Sequence, residues 1–363
     1  MIHSLRRIAI FVALCSAAAL GPSSGQAHST TTGSEGTTAA AQGIYWGAYV
    51  AGGQYGLIDA PWNMVSANRF EANTGKRMSL LEWGQDWYEC SSSCGMRGFR
   101  ADLMSKARAR GYLPVLSWGS YEEAKGPDQP DYALSEIISG RYDSFIKSWA
   151  LGAKKWGHPF FLRFDWEMNT NEVPYSEHSN GNRPGEFVQM WRHVHTIFDE
   201  VGARNVTWVW CPNIEYGGSI KPLASLYPGD QYVDWTCLDG YNWGTGSSHE
   251  GGWTPFSTVF RHTYDLLTKR IARSKPLMIG ETASSELGGS KAAWITDALG
   301  TQIPTRFPKV AAVVWFNKEY DSQNWAIESS QGAEAAMRAA LQSPVYLGDR
   351  FRRAPSGVIR ALR

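Results

Sequence analysis

From residue 43 onward, short apolar runs alternate with longer amphipathic ones. The runs 44–50 (IYWGAYV), 78–83 (MSLLEW), 112–118 (YLPVLSW), 159–165 (PFFLRFD), 206–211 (VTWVWC), 235–241 (WTCLDGY), 276–280 (PLMIG) and 311–316 (AAVVWF) are compact and rich in aromatic and β-branched residues, which predicts buried strands. Between them, apolar positions recur at helical spacing. This predicts helices over 61–73, 97–110, 135–156, 185–203, a short one near 222–233, and 257–272, 291–301 and 332–342. Pro184 ahead of Glu186 is a start signal, and Gly111, Gly157 and Gly202 are stop signals. Eight strands, each followed by a helix over roughly 300 residues, predict a single (β/α)8 barrel of the α/β class. A doubly wound sheet would usually open on a Gly-rich phosphate loop, and Gly47 with Gly52 and Gly53 does not match GxGxxG.

The segment before residue 43 reads differently. Arg6 and Arg7 precede an apolar run, Ile8 to Leu20, too short to cross a bilayer, and Gly25-Gln26-Ala27 offers a small-x-small cleavage site. Residues 1–27 are therefore expected to be a signal peptide cleaved near Ala27, and the protein to be secreted. Residues 28–42, rich in Ser, Thr, Gly and Ala, read as a flexible linker. The catalytic barrel is expected over 43–345. The tail 346–363 carries Arg350, Arg352, Arg353, Arg360 and Arg363, and reads as a solvated end or an adhesive patch for an acidic surface. Cys90 and Cys94 enclose three Ser and suit a local disulfide in an oxidising compartment; Cys211 and Cys237 are either a second bridge or two buried thiols.

Composition narrows the chemistry. The 35 basic and 34 acidic side chains nearly cancel, which excludes a globally basic nucleic-acid binder. No other stretch is apolar enough to span a membrane. There are 17 Trp and 16 Tyr, rings that pack in a core but also stack on the flat apolar faces of sugars. From residue 43 onward neither HExxH nor GxSxG is present, so no metal, cofactor or serine nucleophile is expected. A polysaccharide is the expected partner and a monomer the expected state.

In a barrel, chemistry gathers at the C-terminal ends of the strands. By strand alternation, Arg163, Asp165 and Glu167 share one face of the fourth strand, Asp239 and Tyr241 one face of the sixth, and Leu277, Ile279 and Glu281 one face of the seventh; Phe164, Leu238 and Met278 fall beneath the helices. Glu167 and Glu281 then both point over the mouth. Glycoside hydrolysis needs such a pair, one carboxyl to protonate the leaving oxygen and one carboxylate to attack. Arg163 would hold a neighbouring carboxylate ionised, and Tyr241 would donate to Glu281. Asp165 and Asp239 read as a polar network with Arg163, Asn169 and Asn242 as hydroxyl ligands or strand-end caps, and Trp46, Trp83, Trp118, Trp243 and Trp253 as wall packing or sugar platforms.

The runs LRFDWEMN, WVWCPN, YPGDQYVDWTCLDGYNW, PLMIGETAS and VVWFN together resemble glycoside hydrolase family 26, which holds endo-β-1,4-mannanases, β-1,3-xylanases and lichenases. The resemblance spans most of 43–345. It implies a retaining double displacement with Glu167 as acid/base and Glu281 as nucleophile, Tyr241 touching the nucleophile, and Trp315 as the platform beneath the sugar. Arg163, Trp166, Asn169, Trp118 and Trp243 complete the expected substrate site. Trp166 stands where the mannanases usually carry His, and Phe316 where they often carry Arg. β-1,4-Mannan is the expected substrate by family prevalence, followed by mixed-linkage or β-1,3-glucan and β-1,3-xylan; a barrel that only binds glycan is the alternative of another class.

Overall fold

The computed structural model describes residues 43–90, 93–122, 125–215, 222–245, 252–320, 322–349 and 356–362. The expected signal peptide and linker lie outside these residues. The described chain forms a closed parallel barrel of strands β1 (Ile44–Val50), β2 (Leu80–Cys90), β4 (Leu113–Glu122), β5 (Phe160–Phe164), β6 (Val206–Trp210), β7 (Trp235–Asn242), β8 (Leu277–Ser284) and β9 (Val310–Asn317). Each pairs with its neighbour, and β1 closes the ring by pairing with both β9 and β2. A short antiparallel strand β3 (Cys94–Met96) doubles back on the long end of β2, and the Cys90–Cys94 disulfide joins the two. Strands β10 (Glu319–Tyr320) and β11 (Gln323–Asn324) form a small hairpin after β9, and β12 (Tyr346–Leu347) pairs with the start of β1.

The helices around the ring are α1 (Met64–Thr74), α2 (Ala101–Ala109), α3 (Leu134–Ile138), α4 (Asp143–Trp156), α5 (Glu186–Val201), α6 (Phe256–Leu266), α7 (Lys291–Asp297), α8 (Ile303–Arg306) and α9 (Gln331–Ala340). The helix expected over 135–156 is two. Gly140, at φ +91°, takes a left-handed turn between them that the helix cannot continue through. The short helix expected near 222–233 is a single 3-10 turn, Leu223–Leu226.

Two apolar sets divide the core. Tyr45, Leu80, Leu113, Val115, Phe161, Val209, Trp235, Met278, Ala312 and Val314 fill the barrel interior, and a larger set packs strands against helices. Met278 belongs to the interior, whereas Leu277 and Ile279 lie under the helices, which corrects the expected phase of β8. The cause is a bulge: Leu238 pairs with Ile279 but Asp239 with Glu281, leaving Gly280 as the extra residue. Without that bulge, alternation from Ile279 would turn Glu281 outward.

Of the segment expected to be a solvated end or an adhesive patch, Arg350, Arg352, Arg353 and Arg363 lie outside the described residues, and residues 356–362 pack against the barrel. Ile359 is buried among the interior residues; its N–H donates to Thr207 Oγ1 (2.8 Å), and its carbonyl accepts from Trp235 Nε1 (2.8 Å). Tyr45 OH donates to the carbonyl of Arg360 (3.1 Å). Residues 356–362 thus floor the barrel at the N-terminal ends of its strands. Among the described residues, no helix is long and apolar enough to cross a membrane.

A Cβ at Gly280 would sit 2.2 Å from Cys237 Sγ and 2.7 Å from Asp239 Oδ1. Gly280→Ala should therefore destabilise the fold by about 1–3 kcal/mol in denaturant unfolding. An unchanged midpoint would mean that β8 keeps its shape without this close approach.

Candidate active site

The C-terminal end of the barrel converges on Arg163. As the last inward residue of β5, it lies at 0% exposure. A bare buried guanidinium would be very costly, so the strands around it supply acceptors. Its Nη1 donates to Glu82 of β2, to Ser117 Oγ of β4 (3.1 Å) and to Glu281 Oε1 of β8 (3.0 Å), while Nη2 donates to Asp239 of β7. Tyr241 OH donates to the other oxygen of Glu281, so both oxygens of that carboxylate are held. Beneath the cluster Cys211 and Cys237 form a disulfide, with Asp239 Oδ1 3.3 Å from Cys211 Sγ.

Glu167 arrives by a different route. β5 ends at Phe164; Asp165 (φ +43°) and Glu167 (φ +55°) then both take left-handed backbone, which non-glycine residues adopt only when their surroundings enforce it. Asp165 accepts from the N–H and the hydroxyl of Ser120 (both 2.7 Å), and Glu167 N–H donates to the carbonyl of Cys211 (2.7 Å). Asp165 is therefore bonded to β4 rather than to Arg163, because the strand has ended and alternation no longer applies to it. Asn213 Nδ2 donates to Glu167 Oε1 (2.8 Å). Asn169 grips the Asn213 backbone at both its N–H and its carbonyl (2.9 Å each), so it acts as a clamp on that residue rather than as an open hydroxyl ligand.

Glu167 holds its proton more tightly than an ordinary carboxyl does. Burial pushes Glu167 up to about 8, and the negative charge of Glu281 adds to the push; Arg163 and the Asn213 hydrogen bond oppose it. Glu82 is pushed up to about 7, first by burial, with Arg163 opposing and Glu281 adding. Asp239 is raised well above the usual carboxylate range, mainly by burial. One acid that stays protonated at neutral pH beside a carboxylate held by two donors is an arrangement that can split proton donation from nucleophilic attack.

The aromatic expectations fare unevenly. Trp118 faces outward from β4 and is buried against Trp149 (4.5 Å between centroids), Trp87 and Phe164, so it is core and not a sugar contact. Trp315 is also fully buried, edge-on to Trp294 of α7, because it falls on the outer face of β9. Its neighbour Phe316 faces the mouth instead, 5.8 Å from Tyr241 and 5.1 Å from Tyr49. Trp166 is half-buried beside the Arg163 guanidinium (5.7 Å), and Trp243 lies beside Tyr241 (5.9 Å). Glu82, Asn213 and Tyr49 are absent from the expected site, and Phe316 enters it only as a departure from the mannanase pattern. Glu82 was within reach, since it alternates with Leu80 just as Arg163 does with Phe161.

The sequence pattern of glycosyl hydrolase family 26 matches residues 113–268. Endoglucanase H of Acetivibrio thermocellus is 38% identical over 237 residues, covering 64% of this chain but 24% of that protein. Beta-1,3-xylanase TXYA of a Vibrio species is 22% identical over 227 residues, covering 55% of this chain and 44% of that one. The chain thus spans less than half the length of either relative. Among solved structures, the catalytic domain of the Bacillus sp. JAMB-750 GH26 endo-beta-1,4-mannanase superposes with a TM-score of 0.62 at 15% identity (84% of this chain, 87% of that one). The Bacillus subtilis mannanase BCman superposes at 0.57 and 20% identity (90% and 92%). At these identities the likeness establishes the fold.

The two influences on Glu167 can be separated by carbon-13 NMR of its carboxyl. Glu281→Gln removes the repelling charge and should lower the Glu167 pKa from about 8; Asn213→Ala removes a donor to the ionised form and should raise it. Shifts in the same direction would contradict this account of the site.

Proposed function

From the match of residues 113–268 to glycosyl hydrolase family 26, we propose that this chain is a secreted, retaining endo-β-glycanase. The observation that carries the reading is that Glu167, raised by burial, shares one barrel rim with Glu281, both of whose oxygens are held by donors. Glu167, protonated at neutral pH, donates its proton to the leaving oxygen as Glu281 attacks the anomeric carbon. Arg163 and Tyr241 fix the attacking carboxylate by donating to its two oxygens. Glu167, now ionised, then takes a proton from the water that cleaves the glycosyl ester. Secretion is supported by the amino-terminal apolar run and by two disulfides, which persist in oxidising compartments.

The sugar before the scissile bond lies on the Glu281 side, where Tyr241, Phe316 and Tyr49 form its wall. Trp166 lies beside the Arg163 guanidinium that holds Glu281. The name of the 38% identical relative supports trying β-glucan ahead of β-mannan, and Trp166 and Phe316 in the positions where mannanases carry His and Arg support the same order.

A reducing-sugar screen over lichenan, laminarin, mannan, galactomannan and xylans tests the reading. Activity on at least one is expected, with Glu281→Ala lowering kcat by roughly 10³-fold or more. Glu167→Ala should spare aryl glycosides whose leaving groups need no proton while abolishing polysaccharide cleavage. Glycan binding without hydrolysis would favour the binding-only barrel instead. Phe316→Ala should raise KM with little change in stability, whereas Trp315→Ala should lower stability by about 3–5 kcal/mol in unfolding experiments; the reverse pattern would restore Trp315 as the platform.

A further inference from the structure

We propose that Glu82 is the charge counterpart of Glu281: a positioning carboxyl that stays neutral while Glu281 is ionised and takes over the Arg163 guanidinium when Glu281 becomes an ester. The proposal rests on the retaining reading above.

Glu82 and Glu281 come from β2 and β8 and meet at the same nitrogen of Arg163, Nη1, while Asp239 takes Nη2. Glu82 is 1% exposed. Its Oε1 accepts from Ser117 Oγ (2.8 Å) and from Arg163, but its Oε2 has no hydrogen-bond partner among the described residues. A bare oxygen is far costlier on a buried carboxylate than on a buried acid. One cation also faces three carboxyls, and if all three were ionised a dry site would carry net negative charge. The groups facing Glu82 are Tyr49 from β1, Ser117 from β4, Arg163 from β5, Asp239 from β7 and Glu281 from β8. Tyr49 stays a neutral phenol, since burial and the neighbouring carboxylates push its ionisation upward. Asp239 keeps its own nitrogen, whereas Glu82 shares one with Glu281, so Glu82 is the carboxyl poised to change charge.

In the first step a Glu281 oxygen bonds to the anomeric carbon, the glycosidic C–O bond breaks, and the leaving oxygen takes the Glu167 proton. Glu281 is then a neutral ester. The charge that repelled ionisation of Glu82 is gone, the guanidinium remains, and Glu82 releases its proton to solvent water. In the second step a water oxygen bonds to the anomeric carbon and gives a proton to Glu167. The Glu281 carboxylate leaves, and Glu82 regains a proton from solvent. The cycle consumes none.

The test traps the enzyme with a 2-deoxy-2-fluoro-glycoside of the disaccharide unit that the reducing-sugar screen shows it to cleave, bearing a dinitrophenolate leaving group. Carbon-13 NMR of labelled glutamate then follows the Glu82 carboxyl in the free and trapped full-length protein, with Glu82→Gln identifying the signal. The expected result is titration near pH 7 in the free enzyme and at least tenfold weaker proton binding once Glu281 is esterified. Glu82→Gln mimics only the neutral form. On an aryl glycoside it should lower kcat tenfold or more, with accumulation of glycosyl-enzyme, while kcat/KM falls far less; a merely structural role would depress both alike. Unchanged titration on trapping, or equal loss in both parameters, overturns the proposal. Failure of the reagent to label Glu281 ends the retaining reading and this inference with it, whereas labelling that leaves Glu82 unmoved ends this inference alone.

Discussion

A guanidinium sealed inside a barrel must be neutralised by groups that the surrounding strands bring to it, and Arg163 imposes that demand on this molecule. Four other strands answer it, with Glu82, Ser117, Asp239 and Glu281. Their side chains meet only if the strands hold one stagger, so the register of the ring and the charge at its centre specify each other. Removing Arg163 would leave several acids buried with no counter-charge, which is far costlier than the loss of one contact. The same clustering sets the chemistry, because carboxyls that share one cation cannot all ionise, and burial decides which of them keep their protons.

The barrel was legible because its signal is repetitive. Eight apolar runs, each followed by an amphipathic one, leave few other ways to bury so much surface. Inward-facing Arg163, Asp239 and Tyr241 followed from simple alternation. Alternation failed wherever the backbone departed from ideal strand. Gly280 is extra in β8 and reverses the phase before Glu281; Asp165 and Glu167 lie beyond the end of β5 in left-handed backbone. Glu281 was placed at the mouth for a reason that does not hold in β8, since the run before it is out of phase and the bulge restores its aim. Local spacing does not reveal a bulge, because its cause is the disulfide and carboxylate that Gly280 packs against across the sheet.

The tryptophans show the same division. Trp46, Trp83, Trp87, Trp118, Trp149, Trp210 and Trp315 are fully buried. They are the filling between sheet and helices, so an aromatic-rich composition here reflects mainly a heavy outer core. The rings left at the mouth are fewer, chiefly Tyr49, Trp166, Tyr241 and Phe316. One residue of phase separates Trp315 from Phe316, and that single step exchanges a structural ring for one that faces the cleft.

The floor formed by residues 356–362 also fixes where the chain enters and leaves. A Cβ built on Gly43 would lie 3.4 Å from Cβ of Leu362, so the first and last described residues are neighbours at the pole opposite the cleft. Any segment joined at either of these points meets the barrel at the pole opposite the cleft and leaves its mouth clear. The two points could also be spliced together and the ring reopened at an outer loop, giving a permuted chain whose cleft is untouched.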